Sequence, residues 1–171
     1  MSEIKITKIS EQEFTTESVF FVSVQELAPH QNLFELQVNN EPMQSNLAQY
    51  CFHELVLGLK LLHGNNIAHR DLNPHNMVLD QDFRVKLIDF DQAAIQTKEQ
   101  QKFKTKCGSV EFMAIEMRFN REVEYDAFKA DIFSLGVCLL YFLTGHRISD
   151  VRVLQFVFEE KWGEFWEFLK P

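Results

Sequence analysis

The sequence predicts an α+β fold that is mainly helical, and three observations carry this prediction. Apolar residues recur at helical spacing between residues 45 and 64. The stretch 126–145 is apolar nearly all round from Ile132 onward, which is typical of a helix buried in a core. Short β-rich runs, such as Val19–Val24 and Arg84–Ile88, predict the strands. At 171 residues we expect one domain with a sizeable core.

The composition excludes several classes of protein. A formal net charge of −8 argues against non-specific nucleic-acid binding and against an anionic membrane partner. The three cysteines have no C-x-x-C spacing, so we expect no disulfide framework or zinc site and favour an intracellular, most simply cytoplasmic, protein. The N-terminus is too polar for a signal peptide, and the longest apolar run, Ile132–Leu143, is too short to span a membrane.

The first 64 residues predict a β-hairpin followed by a long helix. Residues 3–27 form two β-rich runs around the polar stretch 11–18. In the helix that follows a Pro-containing turn, Ser45 is a plausible N-cap and Gly64 a plausible C-cap. The positions expected to face the core are Leu47, Tyr50, Cys51, Leu55, Leu59 and Leu62.

After this helix, oxygen-bearing side chains collect on two adjacent turns. Asp71 lies five residues before Asn76 on a segment stiffened by Pro74, and Asp89 follows a strand-like run. Magnesium prefers a few carboxylate or amide oxygens together with phosphate oxygens and water. Phosphoryl transfer asks the protein mainly for positioning and charge stabilisation. The pattern therefore favours a site that holds Mg²⁺ and orients a hydroxyl.

The remaining elements are predicted from turns and periodicity. Two short strands, Met77–Leu79 and Arg84–Ile88, are separated by a turn signal at Asp80–Asp82. Residues 92–106 are polar without clear periodicity and predict a flexible segment. The apolar positions of Trp162–Leu169 recur at i, i+3, i+4 and i+7, which predicts a terminal amphipathic helix.

Taken together, the motifs resemble the eukaryotic protein kinase family, of Ser/Thr type. His69–Asn76 resembles the catalytic loop H-R-D-x-x-x-x-N, and Asp89–Phe90 resembles the start of D-F-G. Gln25–Glu35 resembles the hinge, Cys107–Glu116 resembles C-G-T-P-E-Y-M-A-P-E, and Asp131–Gly136 resembles the start of the central helix of the large lobe. The implied fold is a kinase-like C-terminal lobe, residues 28–171, truncated after the central helix region. Residues 1–27 would be a remnant of the small lobe, from β-hairpin to hinge.

The resemblance implies roles for individual residues. Asp71 would be the catalytic base, with Asn73 beside it in the position of the usual catalytic-loop Lys. Asn76 and Asp89 would hold Mg²⁺, and both would belong to the ATP site. The residues implied for adenine binding are Glu26 to Ala28, through their backbone, and Val78. The residues implied in regulation are Arg70 as receiver of a phosphate on Thr105, and Ser109, which keeps the hydroxyl of the family's Thr.

The sequence also departs from the family pattern. No Gly precedes Gly58, so no G-x-G-x-x-G can cover the phosphates, and no strand Lys of the V-A-I-K type precedes the hinge. Losing one preorganised donor commonly costs about 3 kcal/mol, or ~10²-fold in rate. We therefore expect activity and ATP affinity of this chain alone to be severely reduced. Asp91 replaces the Gly of the metal turn, and its carboxylate would either aid metal binding or repel phosphates.

Two alternatives to an active protein kinase remain open. The chain would be a non-catalytic pseudokinase or interaction module if apolar surface exposed at its truncation edges binds a partner protein. A small-molecule phosphotransferase is a further alternative, because Leu87–Asp91 resembles the metal strand of such enzymes. The activation segment and the helix at Asp131–Gly136 argue against that last alternative.

Overall fold

The computed structural model describes residues 24–37, 41–97, 100, 102–119 and 124–146. Within them the fold is α+β, with two long helices and two small antiparallel sheets. The predicted N-terminal hairpin and terminal amphipathic helix lie outside the described residues, except that residues 24–27 form no strand. In chain order the elements are α1 (Leu33–Leu36), α2 (Ser45–Gly64), β1 (Ile67–Ala68), a 3₁₀ turn (Pro74–Asn76), β2 (Met77–Leu79), β3 (Val85–Leu87), β4 (Ala94–Ile95), α3 (Ile115–Phe119) and α4 (Ala127–Thr144).

The core lies between α2 and α4. The backbone N–H of Met43 donates a 2.7 Å hydrogen bond to the carbonyl of Phe142, so the chain entering α2 is fixed beside the end of α4. Burial of apolar side chains between the two helices is the main stabilising contribution here. The core residues that they supply include Ala48, Cys51, Leu55, Leu59, Leu135, Val137, Cys138, Tyr141 and Phe142.

The bounds of α2 and its buried face differ in part from the sequence prediction. The N-cap is Gln44 rather than Ser45, and the C-cap is Asn65 rather than Gly64, because its N–H still bonds the helix carbonyls. Leu47 and Tyr50 are each 41% exposed, so their assignment to the core was wrong. The apolar residues of α2 span a wider face of the helix than the neighbouring elements cover, so those at its margin stay exposed.

Helix α4 is closed at both ends by its own sequence. Oδ1 of Asp126 accepts hydrogen bonds from the N–H groups of Phe128 (3.0 Å) and Lys129 (3.3 Å). Gly145 ends the helix in the left-handed conformation (φ 72°). Among the described residues α4 alone is long and apolar enough to cross a membrane. It is longer than the apolar run Ile132–Leu143 on which the sequence prediction was based, and half of it is buried inside the protein. Since core helices share that length and composition, we assign α4 to the core.

The four short strands form two antiparallel pairs. β2 pairs with β3, Met77 opposite Leu87, and the turn between them forms around Asp80 as the sequence predicted. The second strand is shorter than predicted, Val85–Leu87 rather than Arg84–Ile88. β1 pairs with β4, so the segment 92–106, predicted to be flexible, contains a short strand. That pairing joins Ile67 to Ile95 and Ala68 to Ala94, and local periodicity does not reveal such distant partners.

Candidate active site

The loop between β1 and β2, residues 69–76, is braced from below by Asp131 of α4. This carboxylate is 1% exposed; its Oδ1 accepts from the N–H of Arg70 (2.7 Å), and its Oδ2 accepts from the N–H of His69 (2.8 Å). Oδ2 also lies 2.9 Å from Nε2 of His63. Arg70 has a left-handed backbone (φ 63°), which is costly for a residue with a Cβ. The hydrogen bonds to Asp131 stabilise that conformation.

His69 links this loop to the segment before Asp89. Its buried ring places Nε2 3.0 Å from the carbonyl of Ile88, and its Nδ1 accepts from the N–H of Asp71 (3.3 Å). A neutral ring with its proton on Nε2 satisfies both contacts. The ring also packs against Phe90 at a centroid distance of 4.9 Å.

The carboxylate of Asp71 is held by three donors from two segments. Oδ1 accepts from the backbone N–H of Ser109 (2.8 Å) and from Nδ2 of Asn73 (2.9 Å). Oδ2 accepts from Nδ2 of Asn76 (3.2 Å). Asp71 itself is half-buried. Its carboxylate is therefore fixed in orientation while the group remains partly accessible.

Asn73 acts as a connector at this site. Its side chain is 3% exposed, and Nδ2 also donates to Oγ of Ser109 (3.1 Å). Its Oδ1 accepts from the N–H of His75 (3.0 Å) and so caps the 3₁₀ turn. A buried neutral amide supplies no positive charge, so Asn73 can position Asp71 but cannot balance the charge of a phosphate.

Asn76 and Asp89 lie on adjoining segments, because the N–H of Ile88 donates to the carbonyl of Asn76 (3.0 Å). Nδ2 of Asn76 donates to both O and Oδ2 of Asp71, which leaves its Oδ1 as the remaining acceptor. Asp89 is exposed, and within the part of the chain that the structure describes its Oδ1 makes only a long contact with the N–H of Asp91 (3.4 Å). In the described part of the chain no group of three or more His, Cys, Asp or Glu could hold a metal. Two oxygen donors nevertheless fit Mg²⁺, which keeps phosphate and water ligands.

Of the residues expected around the adenine, Val78 lies in β2, directly after the same loop. Asn32 forms an isolated β-bridge with Val78, and its side chain caps α1 by accepting from the N–H of Glu35 (2.9 Å). This bridge holds the chain against β2 at Asn32, four residues after Ala28. Glu26 is exposed, whereas Ala28 and Val78 are half-buried. Their role with a nucleotide stays a prediction.

Of the three predicted regulatory residues, Arg70 and Thr105 are linked through Tyr125, whereas Ser109 contacts Asp71 and Asn73. Nε of Arg70 donates to the carbonyl of Gln92 (2.6 Å), and its guanidinium lies 5.2 Å from the centre of the Phe103 ring. Nη1 of Arg70 donates to the hydroxyl of Tyr125 (3.3 Å), which in turn donates to the carbonyl of Thr105 (2.9 Å). The side chain of Thr105 is exposed. A phosphate there remains a prediction.

Three residues at the site were missed from the sequence. Gly108 has φ 88°, and a Cβ there would lie 2.5 Å from the carbonyl oxygen of Arg70, so only glycine lets this segment approach the loop. Gly108 belongs to the motif Cys107–Glu116, but the sequence does not indicate that it contacts the loop at Arg70. His63 and Tyr125 act through contacts with Asp131 and Arg70, 68 and 55 residues away in sequence.

A braced loop with a fixed carboxylate, oxygen donors on the next turn and a second segment packed against the loop is the arrangement expected of a protein kinase domain. The family model for the protein kinase domain matches residues 2–160. The chain is 36% identical over 125 residues (73% of the chain) to probable serine/threonine-protein kinase KCC4 of Saccharomyces cerevisiae, and 36% identical over 127 residues (74%) to serine/threonine-protein kinase GIN4 of the same yeast. It is 33% identical over 132 residues (77%) to sperm motility kinase 2B of Mus musculus.

The chain therefore belongs to the eukaryotic protein kinase family. The matches span 12%, 11% and 27% of the lengths of these three relatives. Kinase-like function follows from the family. The activity, substrate and partners of the whole protein are matters of proposal.

Proposed function

We propose that this chain transfers the γ-phosphoryl group of ATP to Ser or Thr hydroxyls of protein substrates, slowly when alone. The observation that carries the proposal is the placement of Asp71, whose carboxylate accepts hydrogen bonds from Ser109, Asn73 and Asn76. Fixed geometry is the main contribution that a protein makes to phosphoryl transfer. The relatives that carry the names of Ser/Thr kinases support the choice of hydroxyl.

In this mechanism Asp71 accepts the proton of the substrate hydroxyl. Among the described residues Oδ1 accepts from Ser109 and Asn73, whereas Oδ2 accepts from Asn76 alone, so Oδ2 has the greater remaining capacity. We assign Oδ2 as the proton acceptor. Ser109 and Asn73 orient the carboxylate.

Asn76, through Oδ1, and Asp89, through its carboxylate, would hold Mg²⁺. The ion, when bound, would neutralise charge on the phosphates. The backbone of Glu26 to Ala28 and the side chain of Val78 would contact the adenine.

A cytoplasmic location accords with three cysteines that are free thiols: Cys51, Cys107 and Cys138.

The slow rate follows from what the 171 residues lack. Asn73 provides no charge at the transferred phosphoryl group, and the sequence offers no Gly-rich loop or strand Lys to clamp the phosphates. With about 3 kcal/mol lost for each missing donor, the rate falls by orders of magnitude.

A second candidate function is a non-catalytic interaction module. It is favoured by large apolar side chains that remain exposed on α2, of which Leu61 is 67% and Leu57 is 48% exposed. Exposed apolar patches mark protein-binding surfaces. This candidate predicts binding of a protein partner that needs neither nucleotide nor Mg²⁺.

Binding of a non-hydrolysable ATP analogue, titrated with and without Mg²⁺, tests the proposal. We expect Mg²⁺-dependent binding that Asp89→Asn weakens by about tenfold or more, in line with loss of a metal ligand. Asp82→Asn, in the exposed turn between β2 and β3, is the matched control and should bind as the wild type. No binding at millimolar analogue, or equal binding without Mg²⁺, would overturn the proposal and leave the interaction module.

A further inference from the structure

The hydroxyl of Tyr125 lies where the loop 69–76 meets the segment that follows β4. It accepts from Nη1 of Arg70 (3.3 Å), donates to the carbonyl of Thr105 (2.9 Å) and lies 3.8 Å from Sγ of Cys107. The residue is 3% exposed. One hydroxyl thus joins a side chain of the loop to the backbone of a segment more than 30 residues away in sequence.

The backbone of Tyr125 holds the same segment from a second side. Its N–H donates to the carbonyl of Phe103, and the N–H of Phe103 donates to the carbonyl of Tyr125, both at 2.9 Å. The ring of Phe103 lies under the guanidinium of Arg70. The segment is therefore attached both to Tyr125 and to Arg70 before it reaches Thr105.

From Thr105 a short stretch of chain leads to Asp71. Cys107 is buried, and Gly108 packs directly against the carbonyl oxygen of Arg70. Ser109 then donates its N–H to Oδ1 of Asp71. Because only three residues separate Thr105 from Ser109, a displacement at Thr105 would reach the carboxylate.

We propose that Tyr125 is a positioning residue for Asp71. Its hydroxyl couples Arg70 to the backbone of Thr105 and so holds segment 103–109 on the loop without a phosphate on Thr105. The part that concerns catalysis rests on the proposed function, because it takes Asp71 as the base. The ordering of the segment does not depend on catalysis.

The chemistry of the hydroxyl suits this role. Burial, with a contribution from Cys107, raises the pKa of Tyr125 to about 12. The group therefore keeps its proton at neutral pH and can donate to Thr105 while it accepts from Arg70. Two of the five N–H donors of Arg70 are engaged, one by the carbonyl of Gln92 and one by the hydroxyl of Tyr125, so groups of this chain bind the guanidinium without a phosphate.

Hydrogen exchange of the full, unphosphorylated chain tests the ordering directly. Tyr125→Phe keeps the ring and removes the hydroxyl, so we expect peptides within 102–109 to exchange about tenfold faster or more, while α2 and α4 keep their protection. Tyr50→Phe is the matched control, since that exposed hydroxyl donates to the carbonyl of Phe83 (3.2 Å), and segment 102–109 should exchange as in the wild type. Unchanged protection in Tyr125→Phe, or no protection of this segment in the wild type, would overturn the proposal.

A second variant tests whether the effect passes through Arg70. Arg70→Lys removes the two-sided geometry of the guanidinium, and its effect on exchange should not add to that of Tyr125→Phe. Additive effects would contradict the coupling. If transfer is measurable, Tyr125→Phe should lower kcat by about tenfold and leave KM for ATP unchanged, whereas a higher KM at unchanged kcat would contradict positioning of the base. If the wild type transfers no phosphoryl group but Tyr125→Phe still speeds hydrogen exchange of segment 102–109, the proposed function is overturned and the ordering role of Tyr125 stands.

Discussion

The backbone N–H of Ser109 donates a 2.8 Å hydrogen bond to Oδ1 of Asp71, across 38 residues of sequence. The carboxylate of the candidate base is thus oriented by a segment that must first fold onto the loop. Any change that lifts this segment removes one of the three donors that fix Asp71. The site is a product of tertiary packing as much as of the loop itself.

Gly108→Ala should destabilise the protein strongly. The left-handed backbone costs a residue with a Cβ about 1–2 kcal/mol, and the contact with the carbonyl of Arg70 adds about 1–3 kcal/mol of overpacking. We expect the free energy of unfolding to fall by about 2–5 kcal/mol in urea denaturation. Gly136→Ala, where an added Cβ meets nothing within 4 Å inside α4, should instead be neutral or stabilising. Equal effects of the two substitutions would refute this account of Gly108.

Asp131→Ala should cost more stability than removal of the neighbouring helix cap. The substitution leaves the N–H groups of His69 and Arg70 and the ring of His63 without their acceptor, at about 1–3 kcal/mol for each buried group. We expect a loss of about 3 kcal/mol or more. Asp126→Ala removes a cap and should cost about 1 kcal/mol. Thermal and urea unfolding of both variants measure the difference, and a smaller loss for Asp131→Ala would show that the loop does not depend on this brace.

The turn between β2 and β3 should contribute a pH-dependent part of stability. The N–H of Arg84, helped by the N–H of Asp82 and by Lys86, holds the pKa of Asp80 below its usual value. A lowered folded-state pKa means that the stabilisation is complete above the unfolded pKa, about 3.9, and is lost as the pH falls through the folded value.

The stability advantage of the wild type over Asp80→Asn should therefore be present at pH 7 and shrink below about pH 4. Urea denaturation across this range measures it, with Asp82→Asn as a control in the same turn. An advantage that does not change with pH would rule out the carboxylate as its source.

Elements with strong local signals could be predicted from the sequence, and elements made by distant pairing could not. The bounds of α4 follow from two residues, since Asp126 caps its start and Gly145 ends it. The turn at Asp80–Asp82 was equally visible, because its carboxylate bonds the backbone within four residues. By contrast, β4 exists only through its pairing with β1.

The same distinction holds within the candidate site. The spacing of Asp71 and Asn76 was readable, and the two side chains are indeed hydrogen-bonded. The contacts of Tyr125 with Arg70 and of His63 with Asp131 join residues 55 and 68 positions apart. Residue type and periodicity do not indicate which distant residues pair, so only the folded structure reveals these contacts.

Transfer of the γ-phosphoryl group from Mg·ATP to a Ser- or Thr-containing peptide, followed under single-turnover conditions at high protein concentration, tests the central claim most directly. The wild type should show slow, Mg²⁺-dependent transfer, and Asp71→Asn should lower the rate by about 10²–10⁴-fold because a general base is lost. Asp82→Asn should react at the wild-type rate. Equal rates for the wild type and Asp71→Asn would contradict the assignment of Asp71 as the base.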